Sequence, residues 1–416
     1  MSRVAGPSLS VKRWMAGLQD EATTAARPTA PLWLLALITF SGTLAMHIFV
    51  PALPVAAADL GVGIATMQMT VSFYILGLAA GQLVYGPISD RFGRRPTLMV
   101  GLVLYTAAGL AAGLAPEAHA LIVARLCQAL GGCAGMVLGR AIVRDTSAPT
   151  DAARRQATMN LMVTLGPAIA PLIGSLLVFN LGWRSIFVLL CGLGIANLLL
   201  TWRLLPETAK PGAGVRTAEL ARHYGQLFRS PAFLGYSIGG GCATTSMYAF
   251  VAAAPFIFVQ ELGRPAYQAG PYLTLLVLGV WAGSLLARRL IGRMPMGRLL
   301  VGANALSLVA ACVFLAAVLI GQLSIPLTVV TMFLFTVGVG TAAPAALTQA
   351  ISVNPQVIGS ASGLYGFIQM LVGAACTSLA GIGPHPALAA GLVLAVSGVV
   401  AQVAFAVAIR GGASRG

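Results

Sequence analysis

Gly86-Pro87-Ile88-Ser89-Asp90-Arg91-Phe92-Gly93-Arg94-Arg95-Pro96 is a short, charged stretch set between two long apolar runs. It holds one of only ten acidic residues in 416, and three arginines lie within five positions of that acid. The glycines at 86 and 93 permit tight backbone turns, and Pro96 suits the first turn of a following helix. Asp90 is placed either to meet a helix N-terminus or to pair with an arginine. A loop this basic between apolar runs is a clue to what surrounds it.

The chain is 58% hydrophobic and 8% charged, with a mean hydropathy of +0.89. Soluble domains carry about 25% charged residues, so this composition belongs in a bilayer. The formal charge of +15 comes from 23 arginines and two lysines, Lys12 and Lys210. No basic, solvated domain gathers them, which argues against nucleic acid as a partner; they read as loops facing the cytoplasm. The six cysteines fall in apolar runs without metal-ligand spacing and read as small core residues. Residues 1–30 are polar and mixed, and read as a cytoplasmic tail and not as a secretory signal.

A membrane helix needs about 20 apolar residues. That test predicts a first span over Pro31–Val50 and eleven more, centred on 66–86, 97–115, 119–143, 157–180, 184–205, 232–258, 268–290, 298–320, 326–350, 357–380 and 386–409. Only Arg125, Arg184 and Arg264 fall outside the ends that would face the cytoplasm, so 22 of 25 basic residues agree on one side. Both termini are expected there, in a bacterial inner membrane. Organisation follows: an N-terminal tail 1–30, a six-helix half 31–205, a polar cytoplasmic loop 206–231, a second half 232–409 and a tail 410–416. Internal repetition supports two halves. Gly81 to Gly86 leads into the arginine loop after span 2, and Gly283 to Arg289, with Arg293, leads out of span 8.

Small residues at four-residue spacing mark helices that touch closely. Gly77 and Gly81 lie in span 2, Gly131, Gly135 and Gly139 in span 4, Gly279 and Gly283 in span 8, and Gly359 and Gly363 in span 11. Span 5 carries Gly166-Pro167 and Pro171, then Gly174, which soften a helix by removing backbone hydrogen bonds. Span 4 carries Arg125-Leu-Cys-Gln128; an arginine within the membrane usually faces an aqueous path or a partner. Span 1 ends in Met46-His47-Ile48-Phe49-Val50-Pro51-Ala52-Leu53-Pro54. There is no phosphate-cradling loop, so direct use of ATP is not expected, and His119, His223 and His385 read as ordinary polar surface residues.

The loop from Gly86 to Arg95 resembles the signature between helices 2 and 3 of the major facilitator superfamily. Within it, span 1 and the stretches Gln82 to Arg95, Arg140 to Asp145, Gly182 to Phe187 and Gly363 to Met370 resemble the bicyclomycin- and chloramphenicol-resistance (Bcr/CflA) branch of drug:proton antiporters. The resemblance implies an all-α bundle of twelve helices in two pseudo-symmetric halves, with helix 2 meeting helix 11 and helix 5 meeting helix 8. The glycines of spans 2 and 11 are expected at the first of these contacts. It implies a conformational switch at Gly86, Asp90, Arg91, Gly93, Arg94 and Arg95, in which Asp90 meets a helix end of the other half. It also implies an antiporter motif at Gly166, Pro167, Pro171 and Gly174.

One departure matters. Aligned on Pro51, His47 stands where the branch has an aspartate, and none of the ten acids lies well inside a span. His47 and Arg125, each about 9 Å from the outer end at 1.5 Å per residue, are the expected proton-coupling pair. Tyr74, Gln128, Met136, Asn160, Tyr248, Phe256, Tyr365 and Gln369 are expected to line the substrate cavity, because aromatic, amide and thioether side chains suit loose recognition of flat apolar compounds. The expectation is a monomeric, proton-driven exporter of small drug-like molecules that is not an enzyme and needs no cofactor or metal. A polar-metabolite facilitator and a non-transporting membrane sensor or scaffold are the alternatives.

Overall fold

The computed structural model describes residues 30–147, 149–209, 217–354 and 357–413. Among them, twelve helical segments are long and apolar enough to cross a membrane, and no strand occurs. They are α1 (Leu32–Asp59), α2 (Ile64–Phe92), α3 (Arg94–Gly113), α4 (Ala118–Thr146), α5 (Pro149–Leu181) and α6 (Arg184–Leu204) in the first half. The second half holds α7 (Pro231–Glu261), α8 (Ala269–Leu290), α9 (Met296–Leu319), α10 (Ile325–Ser352), α11 (Ile358–Ala380) and α12 (Pro386–Ala413). A linker helix, Thr217–Phe228, stands between them. The tight turns at 182, 321 and 383 are each made by a glycine with positive φ. Large apolar side chains such as Val100, Phe179, Val188 and Val403 are exposed around the bundle, as a lipid-facing surface requires.

The halves repeat one another in their close contacts. A Cβ at Gly77 or Gly81 of α2 would strike α4 at Leu126, Ala129 and Cys133; one at Gly279 or Gly283 of α8 would strike α10 at Thr336 and Val337. Likewise Gly131 of α4 seats on Gly101 and Tyr105 of α3, and Gly338 of α10 seats on Ala303 and Ser307 of α9. With lipid on the outside there is no hydrophobic gain between helices, so backbone approach through small residues supplies the packing.

These contacts correct the expected pairing of glycines. Gly77 and Gly81 pack inside their own half and Gly359 opens onto free space, while Gly363 alone of these faces α2, where its Cβ would stand 3.7 Å from the Gln82 carbonyl oxygen. The closest α2–α11 contacts are made by other glycines: the Gln82 side chain lies on Gly366, and Gln68 lies on Gly381. Helix spacing places glycines on one stripe but does not say which neighbour the stripe meets. The α5–α8 contact runs through Gly270 against Pro171 and Ser175, with the Thr274 hydroxyl donating to the Ala168 carbonyl at 3.1 Å.

Two spans differ from a simple rod. The first does not stop at Val50. Pro51 and Pro54 each fall in the first turn of a new helical piece, Val50–Ala52 and then Leu53–Asp59, where proline costs nothing. The seventh breaks at Ser246, between Pro231–Thr245 and Met247–Phe256. Thr244 and Thr245 bond back to the carbonyls of Gly240 and Gly241, a pattern that bends helices. The opening is filled by Gln369 of α11, whose Nε2 donates to Thr244 Oγ1 at 2.7 Å and whose carbonyl accepts from Thr245 at 2.8 Å.

Candidate functional site

At the arginine-rich end, α2 closes on Gly93, whose φ of 98° turns the chain straight into α3. The first N–H groups of α3 have no partner within the helix. Here Arg94 N and Arg95 N donate to the Glu207 carboxylate at 2.9 and 3.2 Å. Partial burial opposes ionisation of that acid, but N–H donors from Ala209, Arg94, Arg95 and Thr208 outweigh it and hold the carboxyl below the usual range. The Arg94 side chain folds back over the turn. Its Nη1 reaches Asp90 Oδ1 and Ser89 Oγ, each at 2.5 Å, and its Nε donates to Asp145 Oδ2 at 3.0 Å. One guanidinium thus ties the end of α2 to the end of α4. Arg95 donates to the Trp202 carbonyl, and Arg91 lies over the Phe92 ring.

Beside this cluster lies a cavity of about 710 Å³. Gln82, Gly86 and Asp90 of α2, Met136, Arg140 and Arg144 of α4, and Gly359 and Gly363 of α11 lie on its wall. The linker helix adds His223 and Tyr224, so His223 is a cavity residue and not an ordinary surface one. The linker helix turns Leu220, Tyr224 and buried Leu227 toward the bundle, and that face carries His223 with it. At the opposite end the centre of the bundle is packed, with Phe49, Leu53, Ala252, Ala253, Ala254 and Ile257 showing no measurable exposure, while a smaller cavity of about 290 Å³ remains between Pro51 and Val55 of α1, Phe179 of α5 and Tyr267.

His47 sits at the join of the halves. Its Nδ1 lies 3.0 Å from the Thr43 carbonyl, which can only accept, so Nδ1 carries hydrogen. Its Nε2 is buried with no hydrogen-bond partner among the described residues, and its ring stands 6.1 Å from that of Tyr248 in α7. A void of about 20 Å³ opens beside it, lined by Pro167 and Pro171 of α5, Met247 and Val251 of α7, and Thr336 of α10. Gly166 and Gly174 seat on α1 at Thr43 and Ile48, on either side of His47. The proline-softened stretch of α5 and the histidine are therefore one site. That adjacency is tertiary and has no signal in the sequence.

Arg125 has its own aromatic surrounding, yet it lies near enough for its charge to act on His47. It is fully buried within the first half, with its guanidinium carbon 4.1 Å from the Tyr74 ring centre, 5.5 Å from Phe49 and 5.9 Å from Phe187. Its Nη1 donates to Gln128 Oε1 at 2.7 Å. Three ring faces and an amide oxygen stand where a carboxylate would be expected. Tyr74 donates from its hydroxyl to the Gly42 carbonyl.

The expected cavity residues therefore do not all share one space. Met136 lines the large cavity. Tyr74 and Gln128 are committed to Arg125, Tyr248 to His47, and Gln369 to the break in α7. Phe256 and Tyr365 are buried, and Tyr365 lies against Gly240. The side chain of Asn160 lies outside the described residues. Sequence reasoning missed Glu207, Arg140 and Arg144. The first was hidden in the polar loop, and the arginines were read as topology signals and as part of the stretch Arg140 to Asp145 that carries the resemblance, not as cavity residues.

The sequence model of the Major Facilitator Superfamily matches residues 35–377. An uncharacterized MFS-type transporter, YdgK of Bacillus subtilis, is 28% identical over 384 residues, covering 90% of this chain and 94% of the relative. A chloramphenicol resistance protein of Pseudomonas aeruginosa is 31% identical over 348 residues, 81% of this chain and 80% of the relative. Among solved structures, a D-xylose-proton symporter superposes with a TM-score of 0.71 at 13% identity, covering 89% of this chain and 96% of that one. On the family match, the two repeated halves and the site between them, the chain belongs to the Major Facilitator Superfamily.

Proposed function

We propose that this chain exports small amphipathic compounds, neutral or anionic, from a bacterial cytoplasm in exchange for protons, by alternating access between its halves. The observation that carries the reading is the space between the halves. A drug-sized cavity lies at the arginine-rich end, and a packed end lies beyond the α5–α8 and α2–α11 contacts. The basic loops support a reading in which the cavity end and both termini face the cytoplasm across the inner membrane. A chloramphenicol resistance protein among the relatives supplies the class of cargo.

His47 supports the proton half of the exchange. Uncharged, it satisfies Nδ1 on Thr43 and leaves Nε2 as a free acceptor beside a void with room for about one water. Protonation turns Nε2 into a donor that needs a partner, so the site must hydrate or shift. The parts that would shift are α1, the proline-softened α5 and the broken α7, which meet there. A proton and a change of packing are then one event. The proton gradient is the only driver required; no cofactor and no second subunit enters the scheme, and the lipid bilayer is the remaining partner.

Everted vesicles test this. The parent protein should accumulate a chloramphenicol-like compound, and an uncoupler should abolish the accumulation. His47→Ala should lose accumulation across pH 6 to 8 yet keep downhill exchange. Uncoupler-insensitive movement of a sugar would favour the facilitator, and no movement of any compound would favour a sensor.

A further inference from the structure

We propose that the large cavity holds an anion site, centred on Arg140, that selects amphipathic carboxylates with the apolar end pointing toward the closed end of the bundle. This rests on the cavity being the substrate path, but not on the direction of transport or on proton coupling.

The charges that face the cavity do not balance. Its wall carries Asp90 against Arg94, Arg140 and Arg144, with His223 at the linker helix. Asp90 is already engaged by Arg94, which is engaged again by Asp145. Arg140 and Arg144 have no ion-pair partner among the described residues. They stand one turn apart on α4, where like charges oppose one another unless an anion lies between or beside them. Arg140 is exposed although it lies well inside the helix, and the surface it exposes is cavity wall.

A second feature faces the same space from the other half. The N-terminus of α11 begins at Ile358 with, among the described residues, no side-chain cap and no acidic residue in its first turn. Ile358, Gly359 and Ser360 line the cavity, and a Cβ at Gly359 would meet nothing within 4 Å. Orphan N–H groups and the helix dipole favour negative charge there. A guanidinium on one wall and a free helix N-terminus on the other flank the same space. One turn deeper than Arg140, the wall is Met136 and Val137, which suits an apolar body. A cation entering this cavity would find one carboxylate, and that one already paired.

The test uses the purified full chain in detergent and a matched pair of probes, 1-naphthaleneacetate and its uncharged analogue 1-naphthaleneacetamide. The parent protein should bind the carboxylate at least tenfold more tightly than the amide. Raising the salt concentration should weaken the carboxylate and leave the amide within twofold. Arg140→Gln should bring the ratio near one by weakening only the carboxylate, and Arg140→Lys should restore most of it. Equal binding of the two probes by the parent, no binding of the carboxylate, or an unchanged ratio in Arg140→Gln would each overturn the proposal. The salt dependence is read on the parent, so it stands even if a variant fails to fold. A preserved ratio without proton-driven export would sink the exporter reading and leave the anion site. Export of neutral compounds with a ratio of one would do the reverse.

Discussion

Glu207 accepts the first N–H groups of α3 with a carboxylate that must be ionised to do so. Its folded-state carboxyl titrates below the ordinary value of about 4.3. The sign follows: the stabilisation is complete above the unfolded value and is lost as pH falls through the lower folded one. A charge at a solvated helix N-terminus contributes about 0.3–1 kcal/mol. Glu207→Gln should therefore lower the melting temperature slightly and by a constant amount from pH 5.5 to 8, with the difference closing toward pH 3. Gly93→Ala should cost more, about 1–3 kcal/mol. The substitution meets a positive φ, and its Cβ would stand 2.6 Å from Glu207 Oε2. Thermal unfolding of the detergent-solubilised protein checks both; a Gly93→Ala variant as stable as the parent would contradict the tight turn as the reason for this glycine.

At the scale of helices, the contact between the halves makes a sharp contrast. A Cβ on Gly366 must displace the Gln82 side chain, whereas one on Gly359 enters open space. Overpacking of this kind costs about 1–3 kcal/mol. Gly366→Ala should reduce both melting temperature and transport, and Gly359→Ala should leave the melting temperature unchanged. Finding the two equal would place the interface elsewhere. Gly359 was visible as part of a small-residue stripe in span 11, but Gly366 was not singled out, and the partner of neither was legible. A four-residue spacing defines a stripe on a helix; the neighbour is decided by tilt and rotation, which come from packing. The same gap explains Tyr74 and Gln128, whose residue types suited a drug cavity and which instead surround Arg125. The spans themselves were legible because apolar length is a property of the chain alone. His47 was legible because it broke a pattern.

At the scale of the whole transporter, we propose that Asp90 biases the balance between two arrangements of the halves. With the cavity present, Asp90 is held by Arg94 and faces the free N-terminus of α11 across the lumen. On this proposal, closing the cavity would bring that helix end toward the carboxylate. A contact of that kind is worth about 0.3–2 kcal/mol, enough to bias two states severalfold. Asp90→Asn should cut transport while leaving ligand affinity in detergent within a few-fold. A large loss of affinity with normal expression would move Asp90 into the binding site.

The tie between Glu207 and the start of α3 also fixes where the polypeptide can be divided. Pro206, Glu207, Thr208 and Ala209 belong physically to the first half, although in sequence they begin the connection to the second. Two fragments coexpressed from separate reading frames should reassemble if the break falls after Ala209 and before Thr217. A break a few residues earlier, at Leu205, would leave the first fragment's α3 without its carboxylate and should give a slightly less stable first fragment and a lower yield of reassembled protein.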